Sequence, residues 1–238
     1  MRCVYHGYTD KGGRTENEDT YVWGKSMHGY LFLVADGLGG CGKGEIASGL
    51  VCEEILRQFN TEVEFDLCQA IFTANALLAV KQKEMGIKMK TTLAAAWIGK
   101  DTTMLVHVGD SRIYVFDRFG ILFQTEDHSA AQLSLRVNEK RIDVRSLEDR
   151  NILTRALGMC EDIQLDQQII KNSLYERLLL CSDGFWEFIL EKEMQDLRKR
   201  WQKPRNWIDK MRVVLQSRIS SDNDNDNNTA IAVFKRRI

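Results

Sequence analysis

Two short apolar runs in this chain end in the same way. Residues 30–35 (YLFLVA) lead into Asp36-Gly37, and residues 177–182 (RLLLCS) lead into Asp183-Gly184. Runs of this kind have the character of strands. A strand end at the edge of a sheet holds a side chain rigidly while its backbone turns away. Other acids share the placement: Asp110 lies in a turn between two β-like runs, and Asp226 lies just before the last one. Glu18 and Asp19 stand immediately before the β-like stretch 21–23.

Around these positions the chain alternates strands with helices. Ala47, Val51, Ile55 and Phe59 recur every four residues and mark one face of a helix; Leu67, Ile71, Ala74 and Leu78 mark a second from about Asp66. Short β runs are expected over 92–98, 103–108, 112–116 and 121–123, joined at 99–101, 109–111 and 117–120 by turns of hairpin type. Residues 129–151 are polar and weakly periodic, which reads as a mobile excursion. After the 177–182 strand come two helical patterns, the second carrying Trp207, Met211, Leu215 and Ile219, and then a strand over 229–234. Strand runs interleaved with helix pairs predict an α+β arrangement of layers around one core. The turns are too tight for βαβ crossovers, which disfavours a doubly wound parallel sheet. With a single proline, Pro204, and no Pro/Gly/Ser-rich linker in 238 residues, one domain spanning 1–238 is expected.

Charge excludes some partners. The chain has 33 Lys and Arg against 34 Asp and Glu, a net charge of −1, so it offers a polyanion such as DNA no global attraction. Its six cysteines contain no C-x-x-C pair and fit neither a zinc site nor a disulfide scaffold. No run of about 18 apolar residues is present, and residues 1–13 carry no signal-like segment, so the expected setting is the cytoplasm with no membrane span.

Any one of the aspartates is explained by ordinary turn chemistry. Several gathered in one cleft are not, because two like charges about 4 Å apart cost roughly 4 kcal/mol even at an effective dielectric near 20. Divalent cations relieve that repulsion, and oxygen-only ligands select hard ions, Mg²⁺ or Mn²⁺. The four histidines, His6, His28, His107 and His128, form no spaced ligand pair. Spacing permits a carboxylate cluster without establishing it: Asp36 and Asp183 are 147 residues apart.

Taken together, the segments resemble the metal-dependent protein phosphatases (PPM, or type 2C, serine/threonine phosphatases), and the compact bacterial members most closely. The residues that carry the resemblance are Arg14-Thr15-Glu16-Asn17-Glu18-Asp19, Asp36-Gly37-Leu38-Gly39-Gly40, Thr91-Thr92-Leu93-Ala94-Ala95-Ala96 and Gly109-Asp110-Ser111-Arg112-Ile113-Tyr114. Asp127-His128-Ser129, Leu153-Thr154-Arg155-Ala156-Leu157-Gly158, Ser182-Asp183-Gly184-Phe185-Trp186 and Asp226-Asn227-Asn228-Thr229 follow in the family's order. The resemblance implies a four-layer αββα sandwich, two antiparallel sheets flanked by helix pairs. It implies a Mg²⁺- or Mn²⁺-dependent phosphatase for phosphoserine and phosphothreonine in phosphoproteins, opposing a Ser/Thr protein kinase. In that mechanism a water held between two metals attacks phosphorus directly, without a phosphoenzyme. Asp36 would bridge the metals, Glu18 and the Gly37 carbonyl would complete one site, and Asp183 and Asp226 the other. Asp110, with Asp183, matches the position of a weaker third metal. Asp19 would hold a water from behind the ligands, and Arg14 would grip the substrate phosphate.

The chain also departs from the family pattern. Leu38 stands where many relatives carry a histidine proposed as general acid, which leaves protonation of the leaving group unassigned. His128 is a secondary candidate for that task beside a structural role, and His107 reads as a structural residue. Lys90 stands where the family usually has glycine. Residues 129–151 fall where bacterial relatives carry a flap; Arg136, Lys140, Arg141 and Arg145 there would attract acidic phosphopeptides, or form a solvated face with Glu139, Asp143, Glu148 and Asp149. In the tract 221–228, D-N-x-T selects Asp226, with Asp224 as the fallback. A phosphoprotein-binding module without turnover and a small-molecule phosphohydrolase remain the other readings.

Overall fold

Leu31, Leu33 and Ala35 point to one side of their strand and Phe32 and Val34 to the other, and all five are fully buried. Successive strand side chains alternate between faces, so a strand apolar throughout needs a cover on each side. The computed structural model, which describes residues 2–38, 43–137, 142–200, 202–219 and 225–236, shows where both covers come from. Gly39, Gly40, Cys41 and Gly42 of the glycine-rich turn lie outside the described residues, as do Glu139, Lys140, Arg141 and Asp222, Asn223 and Asp224.

The chain begins with β1 (Arg2–Asp10), β2 (Asp19–Ser26) and β3 (Gly29–Leu38), followed by helices α1 (Gly44–Thr61) and α2 (Leu67–Met85). Five strands come next: β4 (Lys90–Thr91), β5 (Leu93–Ile98), β6 (Thr102–Val108), β7 (Arg112–Phe116) and β8 (Ile121–Gln124). Helix α3 (Ala130–Val137) precedes β9 (Asp166–Lys171) and β10 (Arg177–Cys181). The short α4 (Asp183–Trp186), then α5 (Glu191–Arg200) and α6 (Pro204–Arg218), lead to β11 (Asn228–Arg236).

One sheet runs β1-β11-β10-β7-β8 and the other β2-β3-β5-β6-β9, with β4 paired to the end of β3. The ladders among the described residues are antiparallel. Phe32, Val34, Ala94, Ile113, Leu178, Leu180, Ile231 and Val233 fill the space between the sheets. Outside the second sheet, Val51, Ile55 and Phe59 of α1 and Ile71 and Leu78 of α2 pack on Leu33, Leu93 and Val106. Outside the first, Met194 of α5 and Trp207, Met211 and Leu215 of α6 pack on Tyr114, Leu179 and Ala232. This is the αββα sandwich that the motifs imply.

The turns at 99–101 and 117–120 join paired strands, β5 to β6 and β7 to β8, as hairpins. The turn at 109–111 does not. It carries the chain from β6 in one sheet to β7 in the other, so a connection expected as a hairpin is a crossing between layers. Gly109 makes the crossing with φ +101°, and a Cβ there would lie 2.6 Å from the Thr92 side chain, so both conformation and space require glycine.

Sequence periodicity carries no signal for three stretches of the chain. β1 pairs along its whole length with β11, and β9 is an edge strand whose DQQIIK sequence is mostly exposed. Residues 129–151 carry α3 and two 3-10 turns, Val144–Ser146 and Glu148–Asn151, with Ala131, Leu135 and Val144 buried in the α5/α6 core.

Trp207 tests that core. It is fully buried, meets Phe116 edge-on at 5.2 Å between ring centroids, and donates its indole N–H to the Met194 carbonyl at 3.1 Å. Trp207→Ala is expected to destabilise the chain by about 3–5 kcal/mol, read as a lower urea midpoint at unchanged slope.

Candidate active site

The carboxylates named above end up at one end of the sandwich because four strands bring them there. Asp19 opens β2 and is the register partner of Asp36 near the end of β3; Asp183 follows β10, and Asp226 precedes β11. Asp110 arrives by the crossing turn. Oxygens of Asp36, Asp110 and Asp183 lie within 4.8 Å of one another, the arrangement of a metal-binding group. Glu18, Gly37, Asp226 and Arg14 line the same cleft, of about 830 Å³, while Asp19 is buried behind it.

Hydroxyls and amides fix the backbone that carries these acids. Thr91 and Thr92 clamp Asp36: its N–H donates to Thr92 Oγ1 at 3.0 Å, and its carbonyl accepts from Thr91 Oγ1 and the Thr92 N–H, both at 2.9 Å. The Thr92 hydroxyl also meets Ser111 Oγ at 2.6 Å, which ties the crossing turn to the same clamp. On the far side of that turn, Trp186 Nε1 donates to the Asp110 carbonyl at 2.9 Å. The indole is held in turn by the Arg112 guanidinium, 3.3 Å from its ring centroid, and Arg112 is forked onto Asp127 at 2.7 and 2.8 Å.

Glu18 is fixed by α1. The Gly44 N–H donates to Glu18 Oε1 at 3.0 Å, a carboxylate at a helix N-terminus, and Ser48 Oγ donates to the Glu18 carbonyl at 2.6 Å. Gly37 and Gly44 approach so closely that a Cβ on Gly37 would meet the Gly44 carbonyl oxygen at 2.2 Å. Asn227 staples the opposite wall: its Oδ1 accepts from the Glu18 N–H at 2.8 Å, and its Nδ2 donates to the carbonyls of Lys11 at 2.8 Å and Glu16 at 3.0 Å. Ser182 donates to Asp19 Oδ2 at 2.7 Å and accepts from the Thr229 N–H at 2.9 Å. Asn227, Ser182, Trp186 and the two threonines stand within the motifs, but their positions in the sequence show no task for them. Their tasks are backbone contacts across the fold, which leave no mark on local spacing.

Burial and crowding disturb the protonation of the acids. Burial raises the Asp19 and Asp183 carboxyls to about 7; for Asp183 the neighbouring Asp226, Glu187 and Asp19 charges add to it. Asp36 is pushed well above the usual carboxylate range by burial and by Asp19, Asp183 and Asp110, and Asp110 by burial and by Asp183 and Asp127. Among the described residues, Asp19 Oδ1 and Asp110 Oδ1 are buried without a hydrogen-bond partner. An all-oxygen donor set with raised pKa values and unspent buried oxygens fits a hard divalent cation.

Arg14 lies in the cleft with its guanidinium forked onto Asp226, Nε to Oδ1 at 3.0 Å and Nη2 to Oδ2 at 2.8 Å. His128 is set back from the cleft. Its Nδ1 accepts from the Gly109 N–H at 3.1 Å, its own N–H donates to the Gly109 carbonyl at 2.8 Å, and Nε2 meets Asp166 at 3.1 Å. His107 is buried in β6 against the His128 ring, and burial lowers its pKa to about 3.

Comparison with known proteins agrees with this geometry. The family model for protein phosphatase 2C matches residues 7–223. The chain belongs to that family. Enzymes of the family are metal dependent. The serine/threonine phosphatase stp of Listeria welshimeri is 31% identical over 207 residues, 82% of this chain and 79% of that one. The serine/threonine protein phosphatase PstP of Mycobacterium tuberculosis is 34% identical over 191 residues, 76% of this chain and 36% of that longer protein. Among solved structures, Stp1 from Staphylococcus aureus superposes with a TM-score of 0.88 at 26% identity, covering 100% of this chain and 96% of that one. The Mycobacterium tuberculosis PstP/Ppp structure gives 0.84 at 26% identity, covering 99% of each chain. Among the described residues, no helix is long and apolar enough to cross a membrane.

The raised carboxyls set a pH dependence for the metal-free chain. The folded state holds protons that the unfolded state, with ordinary carboxyls, has released, so their stabilisation is complete below the ordinary carboxylate range and is lost as pH rises through about 7. Thermal melts in chelator are expected to show a lower Tm at pH 8 than at pH 6, by about 2–4 °C for each kcal/mol lost. Mn²⁺ is expected to restore stability most strongly at pH 8, where the ligands are ionised.

Proposed function

We propose that the chain hydrolyses phosphoserine and phosphothreonine in phosphoproteins, using Mg²⁺ or Mn²⁺, and so opposes a Ser/Thr protein kinase in the cytoplasm. The convergence of Asp36, Asp110 and Asp183 oxygens within 4.8 Å carries this reading. Asp36, Asp183, Asp226, Glu18 and the Gly37 carbonyl would hold two ions, and Asp110 with Asp183 a third. When bound, the ions supply Lewis-acid charge that acidifies water and offsets negative charge on a phosphoryl group.

The chain's own residues do the rest. The described cleft lining holds six acids (Glu16, Glu18, Asp36, Asp110, Asp183, Asp226) and three bases (Arg14, Lys88, Lys90), a formal 3 − 6 = −3 that would repel a phosphate dianion. With two divalent cations held by these acids the formal balance would become −3 + 4 = +1, which would favour phosphate. Asp19 keeps Oδ1 available for a hydrogen bond from water, because Ser182 engages only Oδ2. Arg14 presents a planar fork at the cleft wall, suited to two phosphate oxygens as it is to the two oxygens of Asp226. Leu38 lines the cleft without a polar atom on its side chain, so proton delivery to the leaving oxygen does not come from that position. The single domain spans 1–238 in this reading, with 129–151 as its flap.

Purified protein is expected to release phosphate from a phosphothreonine peptide with Mn²⁺ and to stop in chelator. Asp36→Asn and Asp183→Asn are each expected to lower kcat by at least about 10²–10³-fold. Metal-independent turnover, or full activity in both variants, would overturn the mechanism.

Arg14→Ala is expected chiefly to raise KM, by about tenfold, since it removes a charged contact made in ground and transition states alike. Steady-state kinetics on the same peptide would show the split, and a large loss of kcat at constant KM would contradict the role.

A further inference from the structure

The flap cations have two readings from sequence, a site for acidic phosphopeptides or a solvated face among neighbouring acids, and those described are paired with protein groups. Arg145 turns inward, donating to Glu191 Oε1 at 2.8 Å and to the carbonyls of Trp186 and Ile189 at 3.1 Å. Arg136 lies 3.5 Å from Glu126, and Arg150 pairs with Glu187 at 2.8 Å. The cleft itself carries a different cationic wall. Lys88 and Lys90 both line it, on the side of Gly37 and Leu38.

Their placement follows from strand geometry. Met89 between them is fully buried beneath α2, while Lys88 is exposed and Lys90 half-buried, so the two lysines share the outward face of an extended segment. Lys90 is the register partner of Leu38, and Thr91 that of Gly37. The segment is pinned from behind: Gln82 Nε2 donates to the carbonyls of Met89 and, at 3.0 Å, Gly158, and Thr91 exchanges backbone hydrogen bonds with Leu157 at 3.1 and 2.9 Å. Arg14, the third base in the cleft, is paired with Asp226. Neither Lys88 nor Lys90 has an ion pair or hydrogen bond from its ammonium among the described residues.

We propose that Lys88 and Lys90 read negative charge beside the phosphorylated residue, so that the preferred substrates are phosphopeptides with an anionic neighbour, a carboxylate or a second phosphate. This rests on the phosphatase reading of the site and names its substrate class. Two unit charges about 6 Å apart in water-like surroundings are worth about threefold in rate or binding, so two lysines give about tenfold together. Rim charges of this kind act mainly on kcat/KM and fade with salt.

The experiment compares matched phosphothreonine peptides whose neighbours are Asp, Ala, Lys or a second phosphothreonine. Wild type, Lys88→Ala, Lys90→Ala, Lys90→Arg and the double variant Lys88→Glu/Lys90→Glu are each scored by the ratio of kcat/KM for the acidic over the neutral peptide, so that any general loss cancels. The expected wild-type ratio is about ten at low salt, shrinking at about 0.5 M salt. Each alanine is expected to remove about threefold, Lys90→Arg to retain the ratio, and the double glutamate variant to favour the Lys-flanked peptide. A second phosphate, with nearly twice the charge of Asp, is expected to give the larger ratio; a ratio no larger than that of the Asp peptide would overturn the Coulombic role of the lysines for the phosphate neighbour. Wild-type turnover without acid preference, or a preference surviving in the double glutamate variant, would overturn the role of the lysines and leave the phosphatase reading standing. No metal-dependent turnover of any peptide would overturn that reading, and this inference with it.

Discussion

Mutual repulsion of buried carboxylates is the constraint around which this end of the sandwich is organised. With Asp36, Asp110 and Asp183 oxygens inside 4.8 Å, each ionised pair costs roughly 3–4 kcal/mol at an effective dielectric near 20. Asp19, buried behind them, adds to the same field and has its own carboxyl raised to about 7. A fold that left these groups to relax would splay the strand ends or protonate the acids. The chain prevents splaying by hydrogen-bonding the backbone at Asp36, Asp110 and Glu18, which stores the demand for positive charge in one place.

The clamps are made of neutral donors and acceptors aimed at peptide groups, which leaves carboxylate oxygens unspent. Thr91 and Thr92 hold the peptide groups of Asp36, Trp186 holds the carbonyl of Asp110, and Asn227 holds the peptide of Glu18. One layer further back the chemistry is reversed. Arg112 and Asp127 are paired through both arms, with side chains 4% and 2% exposed, so their charges cancel where no ligand can reach. That pair fixes the face of Trp186, and through it the crossing turn, without lending the cleft any positive charge of its own. Satisfied charge behind and unsatisfied charge in front divide support from function.

The sequence made some of this legible and hid the rest for physical reasons. Strands buried on both faces read as unbroken apolar runs, so β3, β7 and β10 were visible, as was the four-residue recurrence of α1 and α2. Edge strand β9 is polar because most of it meets water, and β1 gains its order from pairing with β11 at the other end of the chain. The turn at 109–111 has hairpin chemistry; only the separation of β6 and β7 into different sheets shows that it crosses between layers. Asp36 and Asp183 were conspicuous as strand-end acids, but their meeting is a property of sheet order, which no local pattern encodes. The motifs carried that information because they reflect a whole fold. Lys90 illustrates the opposite limit: its place on the cleft wall comes from facing Leu38 across a two-residue strand, a pairing without a sequence signature.

Arg14 shows how exposure decides what an ion pair is for. Its fork on Asp226 has the same two-armed geometry as Arg112 on Asp127, yet its side chains are 59% and 42% exposed. Exposed pairs are worth about 0–1 kcal/mol, because water already solvates both partners, whereas breaking a buried pair strands a charge at several times that cost. Arg14 can therefore exchange its carboxylate for a phosphate at little expense, and Arg112 cannot exchange Asp127 for anything. In the proposed reading the same arginine would offset Asp226 in the metal-free chain and turn to the substrate anion, a change of partner that its exposure makes inexpensive.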